Sequence, residues 1–307
     1  MKPKPKAIKI NLKFIRLWPL FLGIILCVLP AQIMAADETN NVLVVAVSIL
    51  PQSFFVEKIG GSRVQVMVMV PPGANPATYE PKPRQLAQLS RCTVYFAQGL
   101  PFESAWLPRF LKANRNLKIV RCYQGVERVP MQRAPRSAKL KVGTIQLDPH
   151  IWLSPPFAFI EARNMLEGIL RADPSHRESY AKGFRELARE IVDLDLVIKE
   201  LFEGIGKHNS FMVYHPAWGY FARTYGLKQI AIEKEGKKPL ARDLKRLVRY
   251  AKDKGFKELF IQPQVSPHSA HVIARSIGAK LAYLDPLARQ WDRNLLESAK
   301  KIRRALR

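Results

Sequence analysis

Two histidines and one aspartate stand beside prolines where the chain changes direction. His150 lies in the run Asp148-Pro149-His150-Ile151-Trp152. His215 ends the apolar run SFMVYH and precedes Pro216, and Asp285 ends KLAYLD and precedes Pro286. Imidazole nitrogen and carboxylate oxygen are donors that zinc, manganese and iron take from proteins. Near neutral pH an ordinary imidazole is largely uncharged and a carboxylate is ionised, the states a metal needs. Each residue also has a plainer reading. A lone histidine before a helix often completes a core contact, and an aspartate before a proline often holds a turn. Residue types and spacing alone leave both readings open.

The other histidines fit surface roles. His176 and His208 fall at or beyond the ends of the longest helical pattern, and His268 and His271, three apart at a helix start, read as an exposed pair. No Cys-x-x-Cys pair, phosphate-cradling glycine loop or Gly-x-Ser-x-Gly elbow occurs.

The elements that must position the three residues alternate in type. Apolar runs at 41–48, 64–70, 93–99 and 117–122 read as strands, with helical stretches at 51–59, 83–90 and 103–113 between them. Runs without a polar face, separated by helices, indicate a parallel sheet covered on both sides. A helix is expected near 157–170. The alternation restarts with strands at 210–215, 229–233, 258–263 and 280–286, helices at 216–225, 240–254 and 267–277, and a last helix at 294–306. Between the two series, apolar residues recur at Tyr180, Phe184, Leu187, Ile191, Leu194, Ile198 and Leu201. Steps of four and three make one continuous stripe on a single helix. Asp173 reads as its cap, Pro174 as its first residue, and Gly204 and Gly206 as its stop. The fold class is therefore α/β, with two similar lobes, each a parallel sheet with flanking helices, joined by one long rigid helix. The expected domains are a signal at 1–36, a first lobe at 37–172, the linking helix at 173–206 and a second lobe at 207–307. In open α/β sheets ligands bind beyond the carboxyl ends of the strands, and that is where His215 and Asp285 fall.

Residues 1–36 have a Lys-rich start, an apolar run from Trp18 to Leu29 and small residues at Ala35 and Ala36. That layout is a secretory signal, and the run is short for a span of roughly 20 residues; an uncleaved anchor is the alternative. The chain holds 50 Lys and Arg against 25 Asp and Glu. Export argues against nucleic acid as the reason, leaving a bias toward an anionic surface such as the outer face of a lipid membrane. Cys92 and Cys122 are expected at opposite ends of neighbouring parallel strands, too far apart for the roughly 5.5 Å Cα separation of a disulfide. Residues 123–147, basic and without clear period, read as an exposed excursion.

Three stretches in order, PPGANPATYEPKPRQLAQL, DPHIWLSP and VYHPAWGYFARTYGLKQIAI, with LDPL near the end, resemble the periplasmic solute-binding proteins of zinc and manganese ABC transporters, over residues 42–307. The resemblance implies two lobes joined by a rigid helix, a divalent metal held between them and an inner-membrane permease as partner. It also implies a monomer outside the cytoplasm, without enzymatic activity and without a nucleic-acid partner. Carried over by position, His150 and His215 match the family's second and third metal histidines and Asp285 its terminal carboxylate. The first does not carry over: Pro76-Ala77 stands where the family has Pro-His before Tyr-Glu-Pro. The acid- and His-rich loop of zinc-type members is basic here. Zinc is the expected metal, with manganese and iron as alternatives. The place of the missing imidazole falls to a second oxygen of Asp285, to water, to Glu80 of the same loop, or to a chelator that arrives with the metal. The competing functions are a receptor for a chelated metal or other small ligand, and a metal hydrolase using an open coordination place with Glu80 as base.

Overall fold

The apolar runs have no polar face to give to solvent, so each sheet must be covered on both sides. The computed structural model describes residues 42–131, 147–206, 208–233 and 240–306. The expected signal and the stretch 132–146 of the basic excursion lie outside these residues. Strands β1 (Leu43–Val47), β2 (Val64–Val68), β3 (Val94–Ala97) and β4 (Lys118–Arg121) form a parallel sheet in the order β2-β1-β3-β4. Helices α1 (Leu50–Gly60), α2 (Pro83–Leu89) and α3 (Pro101–Ala113) make the crossovers, and α4 (Pro155–Ala172) follows the excursion. The second lobe repeats the plan. Strands β5 (Ser210–Val213), β6 (Lys228–Ala231), β7 (Glu258–Ile261) and β8 (Lys280–Tyr283) order as β6-β5-β7-β8, again parallel. Helices α6 (Gly219–Thr224), α7 (Ala241–Lys254) and α8 (Pro267–Ile277) connect them, and α9 (Trp291–Ala305) ends the chain. The strands are shorter than the sequence pattern indicates, although residues just past several carboxyl ends still bond across the sheet, as the Ile232 N–H does to the Val213 carbonyl at 2.9 Å and the Leu284 N–H to that of Ile261 at 2.9 Å.

The period of two along β5 and the residue after it divides the side chains between two cores. Phe211 and Val213 join a large cluster that runs through the first lobe and under α9, while Met212 and Tyr214 join a smaller cluster with Leu247, Leu259 and Ile273. The second lobe is thus fused to the first on one face of its sheet. Cys92 and Cys122 are buried free thiols.

The stripe from Tyr180 to Leu201 forms α5 (Arg177–Leu201), 25 residues, roughly 38 Å at 1.5 Å per residue. It packs on α1 and α4 of the first lobe and on α9 of the second. Its start departs from the expectation. Pro174–His176 is a separate 3-10 turn, and Asp173 makes no cap bond. The Asp173 carboxylate instead accepts from His176 Nδ1 at 2.7 Å and from the Tyr180 hydroxyl. With that side chain committed, the helix proper begins at Arg177, and His176 is a half-buried staple instead of a surface residue. Gly183 lets α5 approach the end of α1: a Cβ there would lie 2.5 Å from the Ile59 carbonyl oxygen and 2.7 Å from that of Lys58. Backbone cannot yield as a side chain can. Gly183→Ala is expected to destabilise by about 1–3 kcal/mol in urea unfolding, although alanine is the better helix former; an unchanged midpoint would show that the two helices separate freely.

A buried polar network stitches the carboxyl end of the first sheet. Gln52 Oε1 accepts from the backbone N–H of Ser48 at 2.9 Å and of Ile49 at 3.2 Å, and Glu103 accepts from Gln98 N at 2.8 Å and Gly99 N at 2.7 Å. Gln98 Nε2 donates toward the Pro149 carbonyl at 3.3 Å, which ties the network to the residue before His150. Glu161 closes it, with Oε1 buried and unpartnered. Burial pushes the Glu161 carboxyl up to about 8, whereas a glutamate in an unfolded chain titrates near 4.3. Between those limits the folded protein keeps a proton that the unfolded chain has released. Its stabilising effect is complete below about pH 4 and lost as pH rises through about 8. Glu161→Gln removes this slope, so the metal-free variant is expected to lose less stability than the parent from pH 5 to pH 8 in chemical unfolding. Parallel curves would show that Glu161 is already ionised in the folded state.

Candidate metal centre

Each histidine is held by a carboxylate that its local structure supplies. Asp148 Oδ1 accepts from the His150 backbone N–H at 3.0 Å and from His150 Nδ1 at 2.7 Å, a turn of two residues closed on its own side chain. The Asp148 carbonyl in turn accepts from the Tyr220 hydroxyl at 3.1 Å. His215 follows β5, and Glu233 follows β6, its neighbour. The ladder pairs Val213 with Ala231, so two residues on, Glu233 Oε2 meets His215 Nδ1 at 2.7 Å. A carboxylate can only accept, so both Nδ1 atoms carry the proton and both Nε2 lone pairs are left for a ligand. That is the usual outer arrangement of metal-binding histidine. Burial also lowers the His150 pKa, against the opposing pull of Asp148, and favours the neutral ring.

The crevice brings these rings together from the two lobes. The centroids of His150 and His215 are 5.3 Å apart, with planes at 74°. A ring bound through Nε2 at about 2.0–2.1 Å has its centroid roughly 3.2 Å from the metal, so two rings at a tetrahedral angle stand about 5.2 Å apart. The observed separation therefore fits two imidazoles on one ion. Both rings line a cavity of about 260 Å³ with Asn75, Ala77, Thr78, Met131, Trp152 and Gln262 among its walls.

Asp285 lies to one side. It lines the adjoining cavity with Gln264 and Arg289, and the two cavities share Leu287. Its Oδ1 accepts from the Leu287 backbone N–H at 2.9 Å. Burial raises its pKa, while the bonds from Leu287 and Gln264 act in the opposite direction. Glu80 is exposed and is absent from the lining of either cavity. Among the described residues, no group of three or more His, Cys, Asp and Glu side chains stands close enough together to hold a metal ion. His208, His268 and His271 are exposed.

The clamp between the lobes runs through Trp152, two residues after His150. Its Nε1 donates to the Pro286 carbonyl at 2.7 Å, and its own carbonyl accepts from Trp291 Nε1 at 2.6 Å. Asp148 and Glu233 are functional candidates that residue types alone did not single out. The signal was nevertheless present: Asp148 precedes His150 by two, and adjacent parallel strands bring the residues after SFMV and KQIA side by side.

Two like α/β lobes braced by one helix, with an imidazole from each meeting in the crevice, define a metal-binding solute-binding protein. The chain belongs to the family of the periplasmic zinc-uptake complex component A, whose model matches residues 45–304. It is similar to the high-affinity zinc uptake system protein ZnuA of Bacillus subtilis (strain 168), with 27% identity over 266 residues, 82% of this chain and 81% of that one. A crystal structure of ZnuA superposes with a TM-score of 0.80 at 38% identity, covering 87% of this chain and all of that one. A 138–173 ZnuA deletion mutant with zinc bound gives a TM-score of 0.78 at 39% identity, covering 86% and 98%.

Proposed function

We propose that His150 and His215 take a divalent metal, zinc first, through their Nε2 atoms, and that Asp285 joins them on loading. As a family member the chain is the extracytoplasmic metal-binding component of an ABC-type divalent-metal importer, a carrier and not a catalyst. That membership implies a cognate inner-membrane permease. Manganese and iron are the alternative cargoes for nitrogen and oxygen donors. The observation that carries the reading is the 5.3 Å ring separation across the crevice, supported by the two carboxylates that fix the proton on each Nδ1.

The mechanism follows from what can move. Because α5 packs on both lobes and the lobes share a core, loading proceeds by local rearrangement. His150 and His215 are already oriented. Asp285 exchanges its bond to the Leu287 N–H for the metal, and the Trp152–Pro286 clamp keeps its turn beside the His150 turn. The permease then receives a form whose crevice loops differ from those of the empty protein. The test is titration of the chelator-stripped chain with zinc, manganese and iron(II) against a fluorescent competitor. One zinc per chain at micromolar or tighter affinity is expected, and no uptake of any of the three ends the reading. Glu233→Ala, which frees the His215 ring, is expected to weaken zinc binding by roughly 10–100-fold with an unchanged circular dichroism spectrum. Equal affinity in parent and variant would remove Glu233 from the site.

A further inference from the structure

The cavity beside the two imidazoles is larger than a metal ion needs. Its volume of about 260 Å³ is several times the roughly 30 Å³ share of one water and close to the lower end, roughly 300 Å³, of small-organic-ligand sites. Ala77 opens part of this space, since a methyl group stands on the wall that the family resemblance assigns to an imidazole. The wall is otherwise apolar through Leu100, Met131, Trp152 and Leu287, with Asn75, Thr78 and Gln262 as neutral hydrogen-bonding groups. Such a surface holds a shell of coordinating waters poorly and an organic body well. Meanwhile the two protein nitrogens leave a tetrahedral ion short of donors, and Asp285 adds at most one side chain.

We propose that the cargo is a metal complex, a divalent ion carrying one small amino-carboxylate chelator. The chelator's nitrogen and carboxylate fill the positions that Ala77 leaves open, and its carbon body lies on Leu100, Met131 and Trp152. Asn75, Thr78 and Gln262 supply hydrogen bonds to it. A carboxylate on the chelator also lowers the charge of the cargo, which meets residues 37–307 with a formal net charge of +19, 44 Lys and Arg against 25 Asp and Glu. The proposal rests on the reading of His150 and His215 as metal ligands and concerns what else the ion carries.

The probe is the 1:1 complex of zinc with L-histidine, compared with zinc alone and histidine alone, on the metal-stripped chain by native mass spectrometry and calorimetry. The expected result is an added mass of one zinc plus one histidine, and apparent affinity for zinc at least ~10-fold tighter with histidine present than without it. Ala77→His is expected to tighten the binding of zinc alone by ~10-fold or more and to abolish the histidine adduct. Ala77→Leu, which fills the space without a donor, is expected to abolish the adduct and leave binding of zinc alone within about threefold. Zinc bound by the parent without any adduct, at the same affinity with or without histidine, overturns the proposal and leaves the metal-binding reading standing. Failure to bind zinc in every arm overturns both.

Discussion

Replacing His215 by alanine is expected to weaken zinc binding by roughly 100-fold or more, a loss of about 2.8 kcal/mol at 1.4 kcal/mol per decade. On the proposed reading the effect exceeds that of removing Glu233, because an outer partner only orients a ligand whereas the imidazole would donate to the ion itself. It is also larger here than in a site with three histidines. With Ala77 in the loop, removing either ring leaves one protein nitrogen for the ion. His215 is the cleaner of the two variants. Its ring is partly exposed and bonds Glu233, itself partly exposed, so water can take over the freed carboxylate. Deleting the His150 ring instead leaves Asp148 with the backbone N–H of residue 150 alone, its Oδ2 being already buried without a partner, and stability would fall together with affinity. Competition titration of parent and His215→Ala, with circular dichroism to certify the fold, decides the matter. A variant that binds zinc as tightly as the parent would place the ion elsewhere.

Trp291→Ala is expected to cost about 3–5 kcal/mol of stability, the largest effect of any single core truncation considered. The indole is buried at the start of α9, its ring centroid 4.9 Å from Phe55 and 5.9 Å from Phe54 on α1. It therefore pins the last helix of the second lobe to the first helix of the first. Truncation opens a cavity between two helices whose backbones are each anchored elsewhere, α1 on β2 and α9 on α5, so the gap cannot close freely. It also orphans the Trp152 carbonyl, a buried acceptor. Trp291→Phe, which keeps most of the ring and loses the N–H, should fall between parent and alanine variant. Urea unfolding measures both. Since Trp152 follows His150 by two residues and clamps Pro286, zinc affinity should drop with stability in the alanine variant. A change below about 1 kcal/mol would show that α9 docks mainly through Leu295, Ala299 and Ile302.

The strands, most helices and the bracing helix were legible because their signals are local. Leu187, Ile191 and Ile198 repeat within one helix, so periodicity marks its buried face, and the unbroken apolar run through Val45, Ala46 and Val47 marks a strand covered on both sides. The start of α5 was not legible in the same way. Asp173 and Pro174 have the types of a cap and a first turn, but Tyr180 and His176 compete for the aspartate oxygen. Only the packing of that tyrosine decides which bond forms.

By itself, the sequence determined the two-lobed α/β plan and the placement of His150, His215 and Asp285 at the mouths of elements. Each depends on residue type and near neighbours. The tertiary structure decided the rest: that Glu233 reaches His215, that rings 65 positions apart stand 5.3 Å from each other, and that Asp285 turns into the adjoining cavity. Those relations depend on strand register, on how deeply one lobe seats against the other, and on which backbone N–H captures a carboxylate. Such long-range geometry is fixed by the packing of the shared core, of which a one-dimensional pattern records which residues enter but not where they meet.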